Sequence, residues 1–83
     1  MRVELKKQPV KYLDKCSKGD YEKLCNAIYG LEDLCGDIKK LRGYEDEYRL
    51  KVPPYRVVFT YNSSDKVITV QRIGTRGDVY KKG

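Results

Sequence analysis

The stretch YRLKVPPYRVVFTYNSSDKVITVQRIGTRGDVY, residues 48–80, decides the fold of this chain. Apolar and polar residues alternate through most of it, which is the pattern of β-strands that are buried on one face. Pro53-Pro54 and the polar segment Asn62–Asp65 interrupt the alternation and predict two turns, because proline cannot donate to a strand ladder and short polar residues favour turns. The stretch therefore predicts three consecutive strands, near residues 47–52, 55–62 and 66–73.

The alternation gives each predicted strand an apolar and a polar face. In the first strand Tyr48, Leu50 and Val52 share one face, whereas Arg49 and Lys51 share the other. The two cations are therefore expected to point to the same side of the sheet, away from the apolar residues.

A four-residue loop at Asn62–Asp65 predicts that Tyr61 pairs with Lys66 and Phe59 with Ile68. The apolar face of these two strands then consists of Val57, Phe59, Ile68 and Val70. The opposite face consists of Arg56, Val58, Thr60, Thr69 and Gln71. We expect an antiparallel sheet with one face covered by helices and one face that carries cations.

The N-terminal part predicts the elements that cover the apolar face. Met1–Lys6 alternates as a strand, and Pro9 suits the first turn of a short helix. Asp20 is a predicted N-cap for a second helix, and Gly36 is placed to end it. The apolar stripe of that helix is predicted to consist of Leu24, Ala27, Ile28, Leu31, Leu34 and Cys35. The predicted fold is α+β, with an N-terminal strand and a two-helix hairpin packed on one face of an antiparallel four-stranded sheet, as a single domain over residues 1–83.

Composition narrows the classes of function. The chain has 83 residues and no histidine, and its three cysteines, Cys16, Cys25 and Cys35, form no C-x-x-C pair. We therefore expect reduced, mostly buried thiols and no zinc site. No apolar run reaches the roughly 20 residues that cross a bilayer, and the N-terminus lacks the apolar block of a signal peptide. We expect no metal, no cofactor, no membrane partner and a cytoplasmic location.

The positive charge is concentrated in the C-terminal part of the chain. Residues 48–83 carry 8 Lys and Arg against 2 Asp and Glu, whereas residues 1–47 carry 10 against 10. No carboxylate lies between Tyr48 and Ser64, so the cations of this segment are expected to lack local partners and to bind an anion. A polyanion such as RNA is the expected ligand.

The motifs LRGYEDEYRLKV, YRVVFTY and RIGTRGDVY, between Leu41 and Tyr80, resemble the RelE/ParE superfamily of bacterial toxins from type II toxin–antitoxin modules. The family pattern consists of L-[KR]-G, Y-[RK]-[LI]-[KR], G-D-Y-R-[LV]-x-Y and I-G-x-R…V-Y. Only the Gly-Asp turn is replaced here, by Pro53-Pro54. The family also has the predicted order of a strand, a helical hairpin and three strands, so the resemblance implies this fold and a toxin function.

Members of the RNA-cleaving branch of this family cut messenger RNA at the ribosome without a metal, using basic residues and a tyrosine. The resemblance implies catalytic roles for Arg49, Lys51, Arg56, Arg76 and Tyr80. Arginine is effectively always protonated, so Arg56 and Arg76 are expected to clamp the phosphate. Lys51 can act as a base only when neighbouring positive charge favours its neutral form, and Tyr80 is expected to stack on a base or assist proton transfer. Further RNA contacts are expected from Lys39, Lys40, Arg42, Arg72, Lys81 and Lys82.

Arg49 stands where the best-known RelE-like enzymes have lysine, which leaves Lys51 as the proton-transfer lysine of this strand. Residues 45–47, Glu-Asp-Glu, are a charge run that is expected to be an exposed loop. A carboxylate from this run is an alternative base, because some relatives use one. Lys39 and Lys40 are expected in a solvated loop just before Leu41.

Three hypotheses about function follow, and the first two belong to different classes, an enzyme and a binding protein. The first is an endoribonuclease toxin whose partners are messenger RNA, the ribosome and a cognate antitoxin with an acidic or amphipathic segment that crosses the basic sheet or displaces the C-terminal tail. The second hypothesis is a ParE-like protein that binds DNA gyrase and has no nuclease activity. The third is a degenerate, non-toxic member of the family. Arg56, Arg76 and Tyr80 favour the endoribonuclease.

Overall fold

The computed structural model describes residues 2–41 and 47–75. Within these ranges it contains five strands, two α-helices and one 3₁₀ helix. In chain order the elements are β1 (Arg2–Leu5), α1 (Lys7–Asp14), α2 (Lys18–Gly30), the 3₁₀ helix (Leu31–Asp33), β2 (Asp37–Lys40), β3 (Glu47–Val52), β4 (Tyr55–Asn62) and β5 (Val67–Thr75).

The five strands form one sheet in the order β1-β5-β4-β3-β2. β1 runs parallel to β5, and the other neighbouring strands are antiparallel. The predicted α+β class is confirmed, but the sheet has one strand more than predicted. The additional strand is β2, whose only apolar residue is Ile38, so its sequence does not alternate clearly. Pairing of Ile38 with Leu50 of β3 forms the strand instead.

The helical hairpin is present, but α2 is displaced toward the N-terminus relative to the prediction. Ser17 is its N-cap, and the Ser17 hydroxyl accepts a hydrogen bond from the Asp20 N–H at 3.3 Å. The helix ends at Gly30, and Leu34 adopts a left-handed conformation with φ of 54°. The predicted extension to Gly36 was therefore wrong, and the side chain of Leu34 is exposed.

The core lies between the helices and one face of the sheet. Eight of the residues predicted for the apolar faces of the strands and of the second helix are buried, namely Leu24, Ile28, Leu31, Leu50, Val57, Phe59, Ile68 and Val70. Tyr48 stacks on Phe59 with ring centroids 5.6 Å apart. Each buried aliphatic or aromatic side chain contributes about 1.5–3 kcal/mol through removal of apolar surface from water, so this cluster fixes the sheet against the helices.

The pairing of β4 with β5 is displaced from the predicted register by two residues. Tyr61 lies opposite Ile68, and Phe59 lies opposite Val70. The loop begins one residue later than predicted, because Asn62 still pairs with Val67. A shift of two residues preserves the facing of side chains, so the predicted faces hold up to Val70.

Beyond Val70 a β-bulge changes the facing of β5. The register shifts between Val58 and Phe59, which leaves Gln71 as an extra residue in β5. Arg72 then lies opposite Val58, and Ile73 is buried in the core. The bulge thus turns Arg72 away from the helices, which simple alternation does not predict.

Candidate functional site

The face of the sheet turned away from the helices carries a cluster of five cations on β2 to β5, and we call the surface that they form the cationic face. It is defined by the described residues Lys39, Arg49, Lys51, Arg56 and Arg72. Neighbouring strands lie about 4.8 Å apart, so cations at directly opposed positions are close neighbours.

Lys51 and Arg56 form the central pair of this face. They lie directly opposite each other in the antiparallel β3–β4 pairing. Two unit charges 4 Å apart repel by about 1 kcal/mol in water and about 4 kcal/mol near a protein surface. Neither side chain forms a salt bridge or a side-chain hydrogen bond with any residue in 2–41 or 47–75. An anion that binds between them would remove this repulsion.

Arg49 lies two residues before Lys51 on β3, on the same face, and a carboxylate lies beside it. Its guanidinium is 4.0 Å from Asp37 of β2, and its side chain is 16% exposed. The expectation that the cations of this segment lack partners was therefore wrong for Arg49. The partner comes from β2, which the sequence did not reveal as a strand.

Arg72 is held more closely than Arg49, by an ion pair with Glu47 that is also a hydrogen bond. Nη2 of Arg72 lies 3.3 Å from Oε1 of Glu47, whose side chain is 12% exposed. Glu47 belongs both to the charge run that was expected to be a loop and to the strand predicted near residues 47–52, and the structure confirms the strand: Glu47 is the first residue of β3 and pairs with Thr60. Glu45 and Asp46, the other members of the charge run, lie outside the described residues.

The two lysines of β2 face opposite sides of the sheet. Lys39 lies opposite Arg49 and belongs to the cationic face, whereas Lys40 lies opposite Tyr48 on the helix side. Both were expected in a solvated loop, and both are exposed strand residues instead. Of these two lysines, the structure brings only Lys39 to the predicted site.

Five residues predicted for the site lie outside the described ranges, namely Arg42, Arg76, Tyr80, Lys81 and Lys82. Their predicted roles stay predictions. The described part of the site is thus formed by β2, β3, β4 and β5.

A separate polar network supports the turn between Lys51 and Arg56 from the helix side. The Tyr55 hydroxyl donates a hydrogen bond of 2.7 Å to the Asp20 carboxylate. This bond, together with burial, raises the pKa of Tyr55 to about 12. Lys23 of α2 donates to the carbonyl of Pro53. Both contacts link α2 to the β3–β4 turn, and neither is visible in the sequence because the partners are far apart along the chain.

An apolar groove lies away from the cationic face. It has a volume of about 330 Å³ and is bordered by β1, α1 and α2, with Leu5, Val10 and Tyr29 among its lining residues. Its mostly apolar lining is unsuited to a polyanion. Among the described residues no group of three or more cysteines and carboxylates is arranged to hold a metal ion, and no described helix is long and apolar enough to cross a membrane.

The comparisons with known proteins agree with the fold. Residues 4–80 match the sequence model of a protein family. This family is described as the ParE toxin of the type II toxin–antitoxin system parDE. A curated relative, RelE1 of Methanocaldococcus jannaschii, is 33% identical over 45 residues, which are 54% of this chain. That match spans 50% of the relative's own length.

Two solved complexes contain chains of similar fold. In the archaeal RelE–RelB complex from Pyrococcus horikoshii, the matching chain is 32% identical with a TM-score of 0.72, over 92% of this chain and 94% of that chain. In the RelB–RelE antitoxin–toxin complex from Methanococcus jannaschii, the matching chain is 26% identical with a TM-score of 0.75, over 94% of this chain and 95% of that chain.

Proposed function

The chain belongs to the ParE toxin family of type II toxin–antitoxin systems, within the RelE/ParE superfamily, and from this premise we propose that it is an endoribonuclease that cleaves messenger RNA. Cleavage takes place at the ribosome, in the cytoplasm, by attack of a ribose 2′-hydroxyl on the adjacent phosphate and without a metal.

The observation that carries this proposal is the Lys51–Arg56 pair. Two opposed cations without an ion-pair partner in the described part of the chain offer a fixed binding position for a phosphate. Preorganised donors aimed at developing negative charge are typically the largest single contribution to such a reaction. The pair lies on paired strands, and rigid elements hold such donors better than loops do.

The reaction requires a base for the 2′-hydroxyl, positive charge at the phosphorane and an acid for the leaving 5′-oxygen. Arg56 stabilises the phosphorane, since a guanidinium stays protonated at neutral pH and is a poor acid or base. Lys51 accepts the 2′-hydroxyl proton or acts as a second clamp. Arg49, which lies 4.0 Å from Asp37, contributes positive charge beside them.

We assign Arg76 the role of a further phosphate clamp and Tyr80 that of a stacking or proton-transfer group. Arg76 directly follows Thr75, the last residue of β5. Position and residue type motivate these two roles, so their variants are part of the tests below.

A cognate antitoxin is the proposed protein partner. The relatives from P. horikoshii and M. jannaschii are found in RelE–RelB complexes. We propose that an acidic or amphipathic segment of the antitoxin crosses the cationic face, because clustered positive charge would otherwise bind nucleic acid without specificity.

The experiment that tests the proposed activity is inducible expression followed by primer extension on cellular messenger RNAs. We expect growth arrest together with discrete new 5′ ends. Growth arrest with intact messenger RNA would contradict the proposal.

Inhibition of DNA gyrase is the second candidate function, and the ParE description of the matching family model favours it. A supercoiling assay with purified gyrase separates the two functions. Loss of supercoiling activity, with equal toxicity of the unaltered protein and of Arg56, Arg76 and Tyr80 variants, would support gyrase inhibition.

A further inference from the structure

The bulge in β5 gives the cationic face a cation that regular alternation would have turned into the core. After Gln71 the facing of β5 is inverted, so Arg72 lies on the cationic face and Ile73 lies in the core. The Gln8 side chain of α1 holds this inverted segment, because its amide donates to the Ile73 carbonyl and accepts from the Ile73 N–H, both at 2.9 Å. Arg72 is therefore held by Glu47 on the cationic face, and the backbone of the next residue is held by Gln8 on the helix side. Bulges of this kind often re-aim a side chain beside a functional site.

The strand register arranges the side chains of this face in rows that run across the strands. The first row, from β2 to β5, contains Asp37, Lys51, Arg56 and Gly74. The second row contains Lys39, Arg49, Val58 and Arg72. These two rows together carry five cations and one carboxylate.

The third row differs from the first two in charge. It contains Glu47, Thr60, Thr69 and Glu4, from β3 to β1. It has two carboxylates and no cation, although Glu47 also reaches Arg72 in the second row. The positive surface therefore ends between the second and third rows.

The dimensions of the two cationic rows set the direction in which a polyanion fits. From β2 to β5 the rows span three strand spacings, about 14 Å, whereas the distance between successive rows along a strand is about 7 Å. A polyanion that followed the strand direction would leave the cations after two rows and meet the carboxylates of Glu47 and Glu4. One that crosses the strands keeps cations beside it along its length.

We infer that the RNA backbone crosses the sheet at right angles to its strands, with Lys39 and Arg72 binding phosphates on either side of the Lys51–Arg56 pair. This inference rests on the proposed function for the identity of the polyanion. Glu47 positions Arg72 through the 3.3 Å contact between its Oε1 and Nη2 of Arg72. Val58, fully buried between Arg49 and Arg72, forms the floor of the second row.

The chain offers two matched pairs of variants for the test. Lys39→Ala and Lys40→Ala remove neighbouring exposed lysines of one strand, of which only Lys39 lies on the cationic face. Arg72→Ala and Arg2→Ala each remove an arginine that is paired with a glutamate, and Arg2 lies outside the two cationic rows. Because Arg72→Ala also leaves Glu47 without this partner, its folding is checked by thermal unfolding. If Arg72→Ala unfolds, the comparison of Lys39→Ala with Lys40→Ala decides the test.

The measurement is fluorescence anisotropy of a labelled single-stranded RNA with 2′-O-methyl groups, which cannot undergo 2′-hydroxyl attack, over a series of salt concentrations. We expect Lys39→Ala and Arg72→Ala to lower the affinity several-fold and to reduce the slope of log K against log salt by about 0.7 each. Lys40→Ala and Arg2→Ala should match the unaltered protein.

Equal losses within each pair would overturn the inference, since general electrostatic attraction would then explain binding. Absence of salt-dependent binding by the unaltered protein would also overturn it. Failure of the proposed function gives a different result, namely the expected binding pattern with messenger RNA left intact in the primer-extension experiment.

Discussion

Lys51 of β3 lies directly opposite Arg56 of β4 on the face of the sheet that is turned away from the helices. Val52 pairs with Tyr55, so the connection between the two strands consists of Pro53-Pro54 alone. Hydrogen bonds from Tyr55 to Asp20 and from Lys23 to Pro53 link this connection to α2. The fold thus places two like charges side by side, and contacts with α2 stabilise the connection between their strands from the helix side.

Lys51→Ala should relieve growth arrest while leaving the free energy of unfolding within about 0.5 kcal/mol of the unaltered value, because Lys51 is exposed. The reason is that the variant removes one of the two opposed cations and no core contact. Growth after induction and urea unfolding check the two parts. Full toxicity of a folded Lys51→Ala protein would show that this lysine has no role in the reaction.

Phe59→Ala should lower the free energy of unfolding by about 3–5 kcal/mol. Phe59 is 1% exposed and loses both its burial and its stacking on Tyr48. Tyr29→Ala is the control, since that side chain is 71% exposed. Urea unfolding should show little change for Tyr29→Ala, and equal losses for both variants would contradict the described core.

Gly36→Ala and Gly19→Ala should change stability in opposite directions. Gly36 has φ of +115°, and a Cβ there would lie 2.7 Å from Cδ1 of Leu50, so we expect a loss of more than about 1 kcal/mol. Gly19 lies in α2 with no atom within 4 Å of its added Cβ, so alanine should stabilise the helix by up to about 1 kcal/mol. Thermal unfolding of both variants measures the difference, and a stable Gly36→Ala protein would contradict the backbone described at that position.

The Tyr55–Asp20 hydrogen bond predicts a pH dependence of stability at high pH. The pKa of Tyr55 is raised from 10.0 to about 12 in the folded state, so the folded protein holds this proton more tightly than the unfolded chain does. The stabilisation is therefore complete below pH 10 and is lost as the pH rises through 12. The difference in free energy of unfolding between the unaltered protein and Tyr55→Phe should shrink across this window. A difference that stays constant would mean that the bond does not hold the proton.

Complex formation with the cognate antitoxin should weaken as salt concentration rises, because the proposed contact joins an acidic segment to the cationic face. The complex should also protect Arg56 and Arg76 from modification by an arginine-specific reagent. Titration calorimetry at several salt concentrations and mass spectrometry of the modified protein check these two results. Salt-independent binding with full modification of Arg56 would place the antitoxin elsewhere.

The sequence predicts β3 and β4 well, because β3 alternates throughout, β4 is rich in apolar residues, and Pro53-Pro54 separates the two strands. It does not predict β2, because Ile38 is the only apolar residue of that strand and the strand forms only through pairing with β3. The partner of Arg49 was missed for the same reason, since Asp37 belongs to β2.

The facing of Arg72 also depends on long-range structure. The bulge at Gln71 is accompanied by the hydrogen bonds between Gln8 and Ile73, whose positions are 65 residues apart. No local sequence pattern in residues 67–75 predicts the bulge. In contrast, the predicted core residues are confirmed although the predicted β4–β5 register was displaced by two residues, because an even shift leaves each side chain on its face.

Messenger RNA cleavage by Arg56→Ala, with Lys66→Asn as the charge control, tests the central claim most directly. Lys66 lies in the β4–β5 turn with φ of 53°, a conformation that asparagine tolerates. Primer extension after induction should show that Arg56→Ala reduces cleavage about 10²- to 10³-fold, as expected when one donor to the transition-state charge is lost, and that Lys66→Asn cleaves like the unaltered protein. Cleavage that persists in a folded Arg56→Ala protein, or that Lys66→Asn abolishes just as thoroughly, would contradict the account.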